Sequence, residues 1–441
     1  MESYFGRINL SYLDRYILNV TMRSDGSSRF APSDRYGYFP SVSLGWNVSK
    51  ESFWKFPQTD LKFRLSYGKT GNQDGIGNYA WQPLMSGGIN YGNNSGMAVT
   101  SMGNNKLTWE TADQYDFGFD LGFWNGKLNM IADIYLKNTN NLLYSMPLHG
   151  TSGFTSITSN IGSMRNYGVE FSINGHLNIG KVNWTSSFNI SHNKNKLTKL
   201  LGDDLLPIGS NRALKVGEEL GAFYLFQMDG LYQYDGEVPQ PLYDLGVRAG
   251  DVKYHDADNN GIINDNDRVL TGSSNPDFFG GWNNTFKYKG FQLDVFFTYM
   301  YGNDVYAEWA VTATRPGYRM AITEDVAKNR WTAPGSSDKY PRAVNTLCGH
   351  NSKNSTRFLE DGSFIRLRSL TFSYTFPQVM LQKICLKGLR LYVQGDNLLL
   401  FSKYSGWDPE VSKNMDPQYF GVDLYGVPPS RSVNFGINLS F

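Results

Sequence analysis

The sequence has no apolar run of about eighteen residues, the length a membrane-crossing helix needs, and no sustained helical periodicity, which excludes a helical membrane protein. Cysteine is almost absent. Cys348 and Cys385 are too few for a disulfide framework and neither lies in a CxxC spacing, so both read as free thiols. Charge is sparse and balanced: 41 basic and 40 acidic residues give a net charge of +1, so there is no basic surface for a nucleic acid and no broad field for an anionic partner. The 5 histidines (His149, His176, His192, His255 and His350) are scattered, and no serine elbow, HExxH or phosphate-cradling loop accompanies them. On that inventory the chain is not expected to be an enzyme.

Aromatic residues and glycine are plentiful, at 15% and 46 residues. With a mean hydropathy of −0.41, this composition suits strands that are wet on one face and apolar on the other. The last eleven residues, RSVNFGINLSF, show the pattern: Val433, Phe435, Ile437, Leu439 and Phe441 point one way, while Ser432, Asn434, Gly436, Asn438 and Ser440 point the other. About ten alternating residues are what one tilted strand of a membrane β-barrel requires.

Thirteen segments repeat this alternation. Tyr4 to Tyr12 and Tyr16 to Met22 form the first pair. Segments around Tyr38 to Val48 and Leu61 to Tyr67 follow, and then a loop of about forty residues, far beyond ordinary connection lengths. Tyr115, Phe117, Phe119, Leu121 and Phe123 alternate with polar residues and glycines, and Asn125-Gly126 predicts a type I′ turn into Leu128 to Leu136. Val169 to Ile173 and Val182 to Ile190 turn near Gly180, with a very long insert expected over 193–278. Trp282 to Tyr288 and Phe291 to Tyr301 turn at Gly290; Leu370 to Phe376, Leu389 to Val393 and the terminal strand complete the set.

Short and long connections alternate with strand parity. Transmembrane barrels do this, with short periplasmic turns and long outside loops, whereas a soluble β-sandwich gives no reason for it. Phe441 is then expected at the periplasmic end and the 193–278 insert outside the cell. An odd strand count leaves an edge that lipid does not tolerate, and Met1 is followed by ESYFGRINL with no export signal, so earlier strands and a signal are expected upstream.

Motifs in order along nearly the whole chain resemble the C-terminal part of a TonB-dependent outer-membrane transporter of the SusC/RagA class. They are RSDGSSRF (23–30), SYGKTGNQDGIGNY (66–79), LTWETADQYDFGFDLGF (107–123), DIYLKNTNNLL (133–143), NIGSMRNYGVEFSI (160–173), GDVKYHDADNNGIINDNDR (250–268), FLEDGSFIRLRSLTFSYTFP (358–377) and YVQGDNLLLFSKYSGWDPEV (392–411), with the terminal Phe441. The resemblance implies an all-β, antiparallel transmembrane barrel of about 22 strands, of which this chain carries about thirteen, with a plug domain not found in this sequence. It also implies energy relayed by TonB and a SusD-like surface lipoprotein that helps capture oligosaccharides or peptides for uptake. The alternative is a surface adhesion protein whose barrel is only an anchor in outer-membrane lipid.

The strongest local site is DADNNGIINDND at 256–267. Asp256, Asp258 and Asn260 occupy loop positions 1, 3 and 5, Gly261 the sharp turn, the Ile262 carbonyl position 7, Asn264 position 9 and Asp267 position 12, the oxygen spacing of an EF-hand-like calcium loop. Asp267 stands where Glu is usual, and Asn260 where the related family loop carries Asp. An Asx-rich turn that orders the loop without metal is the other reading. Trp81, Tyr91, Tyr224, Trp309 and Tyr318 are candidates for stacking on ligand in outside loops, against ordinary girdle or packing roles. Arg366 and Arg368 share a strand face and are expected at lipid head groups or along the pore.

Overall fold

The computed structural model describes the chain except residues 201, 203–204, 318–319, 345–348, 382–385 and 416–418. Tyr318, Cys348 and Cys385 lie outside the described residues. Among the described residues there are thirteen long strands, and the four longest connections, 73–109, 201–277, 302–363 and 403–431, all follow even-numbered strands. They fall in two compact units, one covering most of residues 1–204 and the other most of 205–441.

The first unit holds β1 (Glu2–Tyr12), β2 (Tyr16–Gly26), β3 (Tyr36–Asn47), β4 (Thr59–Asn72), β5 (Glu110–Phe123), β6 (Leu128–Pro147), β7 (Ser156–Ile179) and β8 (Val182–Leu200), each antiparallel to the next. Register places Leu65, Phe117, Ile134 and Val169 in one row across β4 to β7, and all four are exposed. A sandwich would cover that row with a second sheet; a barrel turns it to lipid. The opposite face is polar. Arg64 on β4 donates to Asp120 (3.0 Å) and Asp133 (3.1 Å), bridging β5 and β6. Gly118 lies in register between Arg64 and Asp133, and a Cβ there would stand 2.1 Å from Asp133 Oδ1, so glycine is what lets the pair close.

The second unit holds β9 (Phe278–Tyr288), β10 (Phe291–Tyr301), β11 (Phe364–Thr375), β12 (Gly388–Ser402) and β13 (Ser432–Ser440). Phe286, Leu293, Phe372, Val393 and Phe435 form the equivalent apolar row.

Hairpin turns form where the sequence allows left-handed backbone. Asn125 (φ 56°) and Gly126 (φ 81°) turn β5 into β6, and Lys289 (φ 44°) and Gly290 (φ 90°) turn β9 into β10. The expected insert boundary at 193 moves. β8 runs on to Leu200, paired with β7 as far as Gly162, because polar residues such as Lys194 and Lys196 continue the ladder where both faces are wet. β6 and β7, at 20 and 24 residues, likewise exceed the roughly ten residues that cross the apolar layer.

The long connections are not structureless. In the second unit, residues of three long connections share one buried cluster that includes Phe223, Leu225, Val305, Tyr306, Phe358 and Val422. Short strands pair inside it, Ala222–Phe226 with Arg268–Ser273 and Asp304–Tyr306 with Leu359–Asp361. Backbone bonds from Tyr306 N to Gly421 O (2.8 Å) and Asp423 N to Tyr306 O (2.9 Å) join two of the connections directly. A second cluster, around Leu231, Leu242, Val252 and Tyr254, gives the insert its own core. In the first unit Phe30, Ile76, Leu107 and Trp109 form a smaller core under the connections after β2 and β4.

Candidate functional site

Asp251 anchors the segment that leads into the acidic loop. Its carboxylate is fully buried and accepts from Arg342 Nε (2.9 Å), Arg342 Nη2 (3.0 Å), Asn351 Nδ2 (2.8 Å) and Arg248 N (2.9 Å). Such a buried charge persists because every lone pair is met. Val252–Tyr254 then pairs with Met228–Leu231, and the chain emerges at Asp256.

The loop that follows folds around its own carboxylates. Asp256 Oδ2 accepts from Gly261 N (2.7 Å), and Asn260 N lies 3.2 Å from both Asp256 Oδ1 and Asp258 Oδ1. These bonds, led by the one from Gly261, hold the Asp256 carboxyl below its usual range. Asp258 shifts upward, through loss of hydration and the nearby carboxyls of Asp256 and Asp267. Asp267, fully buried, accepts from Ala257 N (2.9 Å) and Asn264 N (2.7 Å) and so closes the loop on itself.

Oxygens of Asp256, Asp258 and Asp267 come within 4.8 Å of one another. Asn260 joins them through Nδ2, which donates to Asp258 Oδ2 (2.8 Å), while its Oδ1 accepts from Ile262 N (2.8 Å). Asn264 caps the short helical turn Asp265–Asp267, accepting from Asn266 N (2.9 Å). Three hard carboxylates with this spacing suit a calcium-sized cation, and Asp267 sits in the set despite its short arm.

The arginines on β11 have a different role from the one their strand position suggests. Arg366 is buried and its Nη2 contacts both Asp408 oxygens (2.7 and 2.8 Å) and Glu410 (2.9 Å); Arg368 also holds Glu410 (2.9 Å). Arg366 is shut away from solvent, while Arg368 stays partly exposed. They tie the Trp407-Asp408-Pro409-Glu410 turn to the strand, an outcome hidden in the sequence because the partners are about forty residues apart.

The loop aromatics divide. Tyr91 is exposed on the hairpin of Leu84–Gly87 and Met97–Ser101. Tyr224 bonds Asp265 O at 3.2 Å and packs. Trp81 is half-buried. Trp309 lines an open cavity of about 530 Å³ together with Trp407 and Tyr425, which sequence reasoning did not single out.

In each unit the sheet carries an apolar row on one face, in the first unit the other face carries ion pairs, and the longest connections within each unit follow even-numbered strands, which is the pattern of an outer-membrane β-barrel. The profile of the family described as "TonB dependent receptor-like, beta-barrel" matches residues 1–398, and the chain belongs to that family, in its SusC/RagA class. It is 34% identical to TonB-dependent receptor P3 of Formosa agariphila, a match over 100% of this chain and 45% of that protein. With TonB-dependent receptor SusC of Bacteroides thetaiotaomicron it shares 31% identity, over 100% of this chain and 44% of the relative. Among solved structures, that of the RagAB peptide transporter superposes with a TM-score of 0.86 at 27% identity, covering 100% of this chain and 47% of that one. The chain thus spans a little under half the length of these relatives. The family is one of transport receptors rather than enzymes.

Proposed function

We propose that the protein of which this chain forms the barrel part imports oligosaccharides or peptides across the outer membrane, energised through TonB and assisted by a SusD-like surface lipoprotein. The supporting observation is that the long connections of the second unit build one folded layer with a shared core, at the end opposite the tight turns. A folded layer of this kind suits capture of a ligand at the surface, and TonB dependence is what separates an importer from an adhesin. The named relatives agree in kind, one being a SusC and another a peptide transporter.

Within that layer we assign the 256–267 loop to a calcium ion held by Asp256, Asp258 and Asp267, with Asn260, the Ile262 carbonyl and Asn264 completing the oxygen set. The ion stiffens the loop against Asp251 and its partners. It has no catalytic part.

The test is uptake. Cells carrying the full-length protein and its lipoprotein neighbour are given fluorescent oligosaccharides or peptides, with and without TonB. Import reads as TonB-dependent accumulation of one substrate class. Surface binding that is indifferent to TonB, with no accumulation, would make the protein an adhesin.

A further inference from the structure

We infer that Trp309, Trp407 and Tyr425 form a stacking subsite for a neutral pyranose ring of an oligosaccharide, which deepens the import reading above and rests on it. Trp407 is 80% exposed and Tyr425 59% exposed, yet neither is loosely mounted. The Trp407 turn is fixed at Asp408 and Glu410 by Arg366 and Arg368, as described. On its other side Ser405 donates through N (2.8 Å) and Oγ (2.7 Å) to the Glu360 carboxylate. Gly406 allows close approach of the Tyr404 ring, where a Cβ would meet Tyr404 Cε1 at 2.4 Å.

Tyr425 is held as firmly. Its backbone is left-handed (φ 55°), an uncommon and costly conformation for a bulky residue. The turn is imposed by buried Asp423, whose Oδ1 accepts from Gly426 N (2.9 Å) and whose Oδ2 accepts from Tyr404 OH (2.7 Å). The phenol hydroxyl is paired with Thr312 Oγ1 at 2.5 Å. Trp309 is placed by its own N–H to Asp423 O (3.1 Å) and by its indole N–H to Tyr404 OH (3.1 Å). The side chains of Trp309 and Tyr425 and the backbone that carries Trp407, from two connections, are thereby preorganised around one cavity, which lowers the ordering cost of binding.

The lining chemistry selects the ligand. Among the described residues no lysine or arginine lines the cavity, and the one carboxylate there, Asp423, has both oxygens engaged. A charged peptide terminus or side chain finds no counter-ion there. A pyranose presents a flat face of C–H bonds, whose partial positive charge suits the negative face of an aromatic ring, and its hydroxyls stay in water at the open side. The indole N–H of Trp407 makes no hydrogen bond among the described residues and remains a donor for a ring hydroxyl.

Isothermal titration of the full-length receptor, with maltohexaose, laminarihexaose, cellohexaose, xylohexaose and mannohexaose each in turn and with a tryptic casein digest, tests this. At least one hexasaccharide is expected to bind, with Trp407→Ala and Tyr425→Ala each weakening it about tenfold or more. Trp124→Ala, at a hairpin turn of the first unit, is expected to leave it unchanged. Binding of the digest but of no hexasaccharide overturns the assignment. Hexasaccharide binding that is untouched by both cavity variants removes the subsite and leaves the import reading standing. Uptake of an oligosaccharide without measurable binding does the same, whereas neither binding nor uptake of any substrate removes both.

Discussion

Replacing Asp408 with alanine tests whether the turn carrying Trp407 is held by an ion pair. Arg366 and Asp408 are 3% and 4% exposed, so removing the carboxylate leaves a guanidinium buried beside an empty space. Breaking a buried pair costs about 3–5 kcal/mol. Glu410, 2.9 Å from the same nitrogen, retains part of the compensation, which places the expected cost near the low end, about 3 kcal/mol. The loss is local, because Asp408 belongs to a connection and to none of the long strands. An opening equilibrium shifted by that much speeds amide exchange about a hundredfold. Hydrogen exchange of the full-length receptor reads it at Gly421 and Asp423, whose amides bond Val411 O and Tyr306 O. The β12 and β13 amides are expected to keep their protection. The double variant Arg366→Met with Asp408→Leu, which replaces the pair by apolar packing, is expected to recover most of the protection. Less than about threefold faster exchange at Gly421 and Asp423 in Asp408→Ala would refute the reasoning, since a buried pair cannot be removed so cheaply. So would equal loss in every strand.

Calcium added to the full-length protein is expected to slow proteolysis within 256–267 and chelator to restore it, with the difference abolished in Asp267→Ala; protection indifferent to chelator refutes the ion. His350, buried with Nε2 2.7 Å from Val252 O, has its pKa lowered from 6.5 by burial, so the unfolded segment binds a proton that the folded one resists. Stability of the 250–263 core is therefore full above pH 6.5 and falls as pH drops below it towards the lowered folded value, read as faster exchange at Val252 and Tyr254; His350→Gln should flatten the profile. Gly118→Val places carbon against Asp133 and Arg64 and is expected to cost about 1–3 kcal/mol, seen as earlier heat-induced unfolding in gel mobility.

The long strands were legible because each repeats one rule many times, apolar outward and polar or glycine inward, but the far ends of β6, β7 and β8 were not, since they run on beyond the apolar layer. Tight turns were legible for the same local reason, as Asn125-Gly126 and Gly290 show. The folded layer was not. Its strands, such as Val252–Tyr254 and Asp304–Tyr306, are too short to display a period, and its core joins residues up to about two hundred positions apart, Phe223 with Val422 among them. The acidic loop could be read because its ligand spacing is local. Trp407, Tyr425 and the partners of Arg366 could not, since what distinguishes them is a set of contacts made only after the connections have packed.

Polarity around β6 and β7 in lipid tests the membrane-spanning barrel most directly. An environment-sensitive fluorophore is attached at Ile134→Cys or at Ser172→Cys in the full-length protein, with Cys348 and Cys385 changed to serine. Ile134 lies in the exposed apolar row and Ser172 on the opposite face, so a blue-shifted, lipid-quenchable signal is expected at 134 and a water-like one at 172. Indistinguishable emission from the two positions, or quenching by lipid at 172 alone, would contradict it.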